Sequence, residues 1–323
     1  MLEPAPFLSD ISGPAPEGVA YWLDTSDGVR VRAVLWGKDA PKGTVLLFPG
    51  RTEYAEKYVH TAAALQQGGY ATFAIDWRGQ GLAERLLDDP LIGHVGDFPD
   101  YQRDVAAMLA AAGDLGLPKP YFLIAHSMGG QIGLRAVLEG LPVNACVFSA
   151  PMWGILLSPA LRPAVWAMTR AGRALGAGDK LAPGGRADAY VLGEPFADNT
   201  LTTDPAMYQM MVDHLNAHPE LSLAGPSLTW LHVALRDCVE LAGRPAPDVP
   251  CLTYLGSNER IVDPKRIHDR MAGWPAGELV MVNGAEHEIL MEAPDTRDRV
   301  MAQILALFDA NRDRPAQGQP VAC

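Results

Sequence analysis

Mainly apolar runs of strand length recur along the chain at residues 44–48, 71–75, 121–125, 145–148, 251–255 and 278–282. The run 121–125 has no polar alternation, which suits a strand buried on both faces. Helical patterns at 54–67, 101–112 and 131–139 separate the early runs, the last with Ile132, Ala136 and Val137 at helical spacing. Two alternating runs come first, 19–23 and 29–36, joined through Thr25-Ser-Asp-Gly28 as a hairpin. Residues 1–18 are proline-rich and irregular and predict an arm lying over the surface. Strands alternating with helices mean an α/β fold, a mostly parallel sheet with helices on both faces.

The rhythm stops between Pro151 and Pro247, a stretch with helical segments, five methionines and Trp153, Trp166 and Trp230 but no convincing buried strand. The sheet then resumes. Helix 296–310 closes it, with Val300, Ile304, Leu307 and Phe308 on one face, and the residues after Asn311 read as frayed. The division expected is a core in two parts, 1–150 and 248–323, and a mostly helical cap, 151–247. Inserted after the sixth strand, the cap would lie over the carboxyl ends of the strands, where ligands bind.

Composition narrows the partners. A net charge of -12 disfavours nucleic acid and strongly anionic lipid. Neutral or zwitterionic substrates, and passing contact with a lipid surface, stay open. No lysine or arginine precedes Arg30, so the basic start of a secretory signal is missing, and no apolar run is long enough to span a bilayer. Cys146, Cys238, Cys251 and Cys323 have no metal-like spacing and read as reduced thiols of a cytoplasmic protein.

Candidate chemistry gathers at the ends of the apolar runs. Ala125-x-Ser127-x-Gly129 lies between a buried strand and a helix, where a tight turn presents a strained serine hydroxyl at the sheet edge. The NH of Met128, at the helix amino end, faces the position of a developing oxyanion. A serine needs a base and the base an orienting acid. His287, in a glycine-opened loop beyond the last strand, suits the base. Glu259 and Asp263 compete for the acid. Asp263 precedes Pro264 and a helix and is accounted for as an N-cap, which favours Glu259. The second oxyanion donor should come from residues 48–51. Pro49 has no NH, which leaves that of Arg51, with its guanidinium expected to pair with Glu53 or Glu56 on the surface.

Other constellations are weaker. His214 and His218 are four apart on a helix but lack a third ligand, and read as exposed cap residues. Gly79-Gln-Gly81 lacks the third glycine of a dinucleotide loop. No metal or organic cofactor is expected. The cap's methionines and tryptophans could line an acyl tunnel or simply pack.

Four pieces, Ala125-His-Ser-Met-Gly-Gly130, Asp76-Trp-Arg-Gly-Gln-Gly81, Gly256-Ser-Asn-Glu-Arg-Ile-Val-Asp263 and Gly284-Ala-Glu-His287, together carry a resemblance. The chain resembles an α/β-hydrolase of the serine aminopeptidase S33-like or "hydrolase 4" group, which holds bacterial lysophospholipases and monoacylglycerol lipases. The resemblance implies the α/β-hydrolase fold, a Ser127, Glu259 and His287 triad, and Arg51 and Met128 as backbone oxyanion donors. It implies a serine carboxylic-ester hydrolase that cleaves a lipid monoester, a lysophospholipid or a monoacylglycerol, through an acyl-enzyme. A short-chain esterase, a hydrolase-fold binding protein and a related hydrolase of amide or carbon-carbon bonds are the alternatives. Three positions depart from the group's pattern: Pro49-Gly50 for His-Gly, Glu259 for aspartate and Ala125 for glycine. The first leaves open what supports the oxyanion loop.

Overall fold

Nine strands form one sheet among the residues that the computed structural model describes, 2–13 and 17–314. They are β1 (Glu3–Ala5), β2 (Val19–Asp24), β3 (Arg30–Trp36), β4 (Thr44–Phe48), β5 (Ala71–Asp76), β6 (Tyr121–His126), β7 (Val143–Ser149), β8 (Cys251–Gly256) and β9 (Gly277–Val282). The spatial order is β1-β2-β3-β5-β4-β6-β7-β8-β9. Pairing is antiparallel from β1 to β5 and parallel from there on.

The unbroken apolar runs are explained by two cores, one on each face. In β4, Leu46 and Phe48 enter one core while Val45 and Leu47 enter the other, and Leu123 and Phe122 of β6 divide in the same way. Helices α1 (Val59–Gln67) and α9 (Pro294–Ala310) cover one face, burying Leu65, Ile304 and Phe308. On the other face lie α2 (Tyr101–Asp114), α3 (Ser127–Leu138) and, late in the chain, α8 (Pro264–Ala272).

Between β7 and β8 come α4 (Arg162–Ala174), α5 (Tyr190–Gly193), α6 (Pro205–Ala217) and α7 (Leu228–Ala242), with no named strand among them. Trp230, Val233, Ala234 and Leu241 of α7 share the core of α2 and α3.

The amino-terminal arm differs from expectation. Glu3–Ala5 pairs antiparallel with β2, so the helical insertion follows the seventh strand rather than the sixth. Three residues including a proline carry no periodic signal, and proline is tolerated there because the strand is an edge. At the other end Asn144 holds the carbonyls of Asn311, Arg312 and Arg314, so the chain is tied down as far as Arg314. Residues 315–323, with Cys323, lie outside the described residues. Cys146, Cys238 and Cys251 are free, buried thiols.

A buried ion group joins the antiparallel part of the sheet to the loop after β4. Arg32 of β3 donates to Asp76 of β5 at 2.8 Å and to Glu56 at 2.8 Å, and all three side chains are fully buried. Asp76 also accepts the NH groups of Ala55 and Leu82, fixing the loops on either side.

Candidate active site

Ser127 follows β6 directly and starts α3 with φ of 49°, in the left-handed region that disfavours side-chain-bearing residues. Its neighbours show how that turn is held. A Cβ on Gly129 would lie 2.2 Å from the Phe48 carbonyl oxygen and 2.4 Å from that of Pro49, so α3 and the loop after β4 meet at a distance only glycine allows. A Cβ on Gly133 would lie 3.2 Å from that of Ala125. The glycine that lets strand and helix approach is thus on the helix, which accommodates alanine at position 125. The Met152 NH closes the turn onto the Ser127 carbonyl at 2.8 Å.

His287 and Glu259 meet from two loops at the carboxyl ends of β9 and β8. Because a carboxylate only accepts, His287 Nδ1 donates to Glu259 Oε2, at 2.7 Å, and its Nε2 is left for a substrate or a hydroxyl. Oε1 of Glu259 accepts the NH groups of Ile261 at 2.7 Å and Val262 at 3.0 Å. Burial pushes this carboxyl up, but His287 and the two NH groups outweigh it and hold Glu259 below the usual glutamate value. Asp263 instead caps α8, accepting the Lys265 NH at 3.1 Å, and pairs with Arg162. The helical insertion between β7 and β8 grips the histidine loop through the carbonyls of Thr200 and Leu201, which accept the NH groups of His287 and Glu288.

The loop after β4 is supported from behind by side chains that do not include the histidine of the family pattern. Trp77 Nε1 donates to the Pro49 carbonyl at 2.9 Å, and Gln80 Nε2 to that of Gly50 at 2.7 Å. The Gly50 NH is taken by the Glu53 carboxylate. That leaves the NH groups of Arg51 and Met128 as candidates for an oxyanion. The Arg51 side chain does not go where the sequence suggested. Glu56 is committed to Arg32, and Glu53 to Lys57 at 2.7 Å and Tyr58 at 2.6 Å, whereas the Arg51 guanidinium turns inward, donates to the Ala224 carbonyl and lies over the Trp230 ring.

Sequence reasoning missed the charge cluster beside the serine. Lys57 is buried between Glu53 and Glu288, the second at 2.5 Å, and His126 Nε2 lies 3.7 Å from Glu53. Glu53 and Lys57 look like an ordinary surface pair four residues apart. The available signal was their setting among Tyr54, Ala55, Tyr58 and Val59, which are buried. Glu53, His126 and Glu288 offer donor atoms within 4.8 Å of one another, as a metal site would, but the Lys57 ammonium already supplies positive charge to both carboxylates. Burial lowers His126 to about 4, and its Nδ1 donates to the Ser149 carbonyl at 2.9 Å, so it is a neutral structural imidazole. His214 and His218 do not act together. His218 contacts Asp10 and Glu220 near the surface, while His214, expected to be exposed, is buried with Nδ1 3.0 Å from the Tyr54 hydroxyl.

Ser127 and His287 line one cavity of about 420 Å³, whose walls include Met152, Ile155, Leu215, Leu223 and Trp230. A presented serine, a histidine oriented by a carboxylate and an apolar cavity over both can support acyl transfer.

The profile of a family described as serine aminopeptidase, S33, matches residues 39–294, most of the chain. The chain belongs to this family. Among this chain's relatives in sequence, lysophospholipase L2 of Escherichia coli strain K12 is 32% identical over 301 residues, spanning 88% of this chain and 85% of that protein. Monoglyceride lipase of Rattus norvegicus is 26% identical over 301 residues, 90% of this chain and 91% of that one. In structure, a soluble variant of monoglyceride lipase from Saccharomyces cerevisiae superposes with a TM-score of 0.69 over 95% of this chain and 99% of that chain, at 22% identity. The family's α/β-hydrolase fold is therefore shared.

Proposed function

We propose that this protein, a carboxylic-ester hydrolase by its family and relatives, cleaves the acyl ester of a lysophospholipid or a monoacylglycerol through an acyl-enzyme. The observation that carries the reading is the strained Ser127 sharing a cavity with His287, whose imidazole is fixed by Glu259. In this account Ser127 attacks the ester carbonyl while His287 Nε2 takes its proton. The NH groups of Arg51 and Met128 hold the oxyanion, and His287 then protonates the leaving alcohol and activates water against the acyl-enzyme. Glu259 stays ionised and keeps the imidazole in the tautomer that accepts at Nε2.

The cavity's apolar walls favour a lipid chain over a short soluble acid. Residues 151–247 act as the cap in this reading. Leu161 and Leu175 there are 58% and 83% exposed, which suits passing contact with a lipid surface. No helix among the described residues is long and apolar enough to cross a membrane, and we place the protein in the cytoplasm. The test is hydrolysis of para-nitrophenyl esters from acetyl to palmitoyl. Turnover rising to medium or long chains supports the lipid reading, and activity confined to acetyl and butyryl makes the protein a short-ester esterase.

A further inference from the structure

The cavity wall holds two cations, and only one of them is in contact with a carboxylate. Lys57 is shared by Glu53 and Glu288, the two carboxylates in the cavity wall, and both are committed to it. Arg51 has no carboxylate partner among the described residues. Its Nη2 reaches the Ala224 carbonyl, the guanidinium lies 5.4 Å from the centroid of the Trp230 ring, and its Nε is shielded from solvent without a hydrogen-bond acceptor. The residue as a whole is only partly covered, because the cavity opens onto it.

The surroundings are shaped for this group. A Cβ on Gly93 would lie 2.8 Å from Arg51 Nη2 and 3.3 Å from Nε, so the guanidinium fills the space a side chain at 93 would take. Gly93 is itself fixed between the loop after β5 and the cap, donating its NH to the Gly225 carbonyl and accepting from Ser227 NH. Burial lowers Arg51 to about 10, with Tyr101 opposing, which leaves it charged at neutral pH. A partly buried guanidinium with one carbonyl and one aromatic face is incompletely paired, and a planar fork of donors matches a phosphate oxygen pair.

We propose that the Arg51 side chain is an anion-recognition site within the substrate cavity and takes the phosphodiester of a lysophospholipid headgroup. The inference rests on the ester-hydrolase reading above and deepens it, because a monoacylglycerol has no group to offer this cation. The same residue then contributes twice: its backbone NH faces the ester oxyanion and its side chain reaches from there toward the headgroup, as a glycerol backbone joins ester to phosphate.

The test compares lysophosphatidylcholine with a monoacylglycerol of the same acyl chain, in the wild type, Arg51→Gln, Arg51→Lys and Gly93→Ala. Gly93→Ala crowds the guanidinium and leaves the loop after β4 unaltered in sequence. In Arg51→Gln the ratio of kcat/KM for the phospholipid to that for the monoacylglycerol should fall about tenfold or more, mainly through KM. Arg51→Lys should restore part of the ratio and Gly93→Ala should lower it. An equal loss on both lipids would make Arg51 a strut for the cap and overturn the proposal.

A binding arm is independent of turnover. Glycerophosphocholine should bind Ser127→Ala protein and lose affinity when Arg51→Gln is added; unchanged affinity would also overturn the proposal. Inorganic phosphate binding as tightly as glycerophosphocholine would identify a free-anion site and reject the headgroup. Should the wild type hydrolyse neither lipid, the ester-hydrolase reading fails, and loss of glycerophosphocholine binding in the double variant still supports the anion site.

Discussion

His287 Nδ1 donates to Glu259 Oε2 at 2.7 Å, and the other oxygen of that carboxylate is held by two backbone NH groups. The acid is therefore fixed on both sides, and the imidazole inherits its orientation. Glu259→Gln keeps the size of the side chain but offers an amide, which allows the wrong tautomer. The expected result is a loss of about 10³–10⁴ in kcat with little change in KM, measured on a medium-chain para-nitrophenyl ester. A loss carried by KM alone would remove Glu259 from the catalytic account.

Gly129 is the contact between α3 and the loop that carries the Arg51 NH. Because a Cβ there meets two backbone carbonyl oxygens, Gly129→Ala must push that loop away. It should lower kcat by about 10²–10³ through the displaced oxyanion donors and lower the melting temperature as well. Wild-type kcat in a folded Gly129→Ala protein would contradict the placement of the oxyanion site.

The sequence reveals what is decided locally. The serine turn is legible because strand, turn and helix are contiguous, and Glu259 because Asp263 is explained by the proline after it. The Arg51 guanidinium is not legible, since its neighbours are Gly93 in the loop after β5 and Ala224 and Trp230 in the helical insertion, all far away in sequence. Lys57 fails for a related reason: Glu288 reaches it from the loop beyond β9. The support of the oxyanion loop was also hidden, because Trp77 and Gln80 reach Pro49 and Gly50 from the separate loop after β5. The short strand Glu3–Ala5 exists only through its pairing with β2.

The Arg32, Glu56 and Asp76 group is fully buried, and removing the cation leaves two carboxylates facing each other without a counter-charge. Arg32→Met should cost about 3–5 kcal/mol of stability in urea unfolding. Adding Glu56→Gln and Asp76→Asn should recover part of it. A variant as stable as the wild type would show that the group contributes no pairing energy.

Burial lowers His214 to about 4 against an ordinary value of 6.5. The unfolded chain therefore binds a proton first as the pH falls, and the folded state loses stability between pH 6.5 and pH 4, on the order of 3 kcal/mol from this residue. Above pH 6.5 it contributes no slope. In His214→Gln that slope disappears, so the stability advantage of the wild type should shrink on acidification across this window. A constant difference would mean that His214 protonates as readily folded as unfolded.

The most direct measurement is fatty acid released from palmitoyl lysophosphatidylcholine and from monopalmitoylglycerol by the wild type and by Ser127→Ala. The account predicts turnover of at least one of the two lipids by the wild type and its loss in the variant. Equal release by both proteins, or none from either lipid, would contradict a lipid monoester hydrolase built on Ser127.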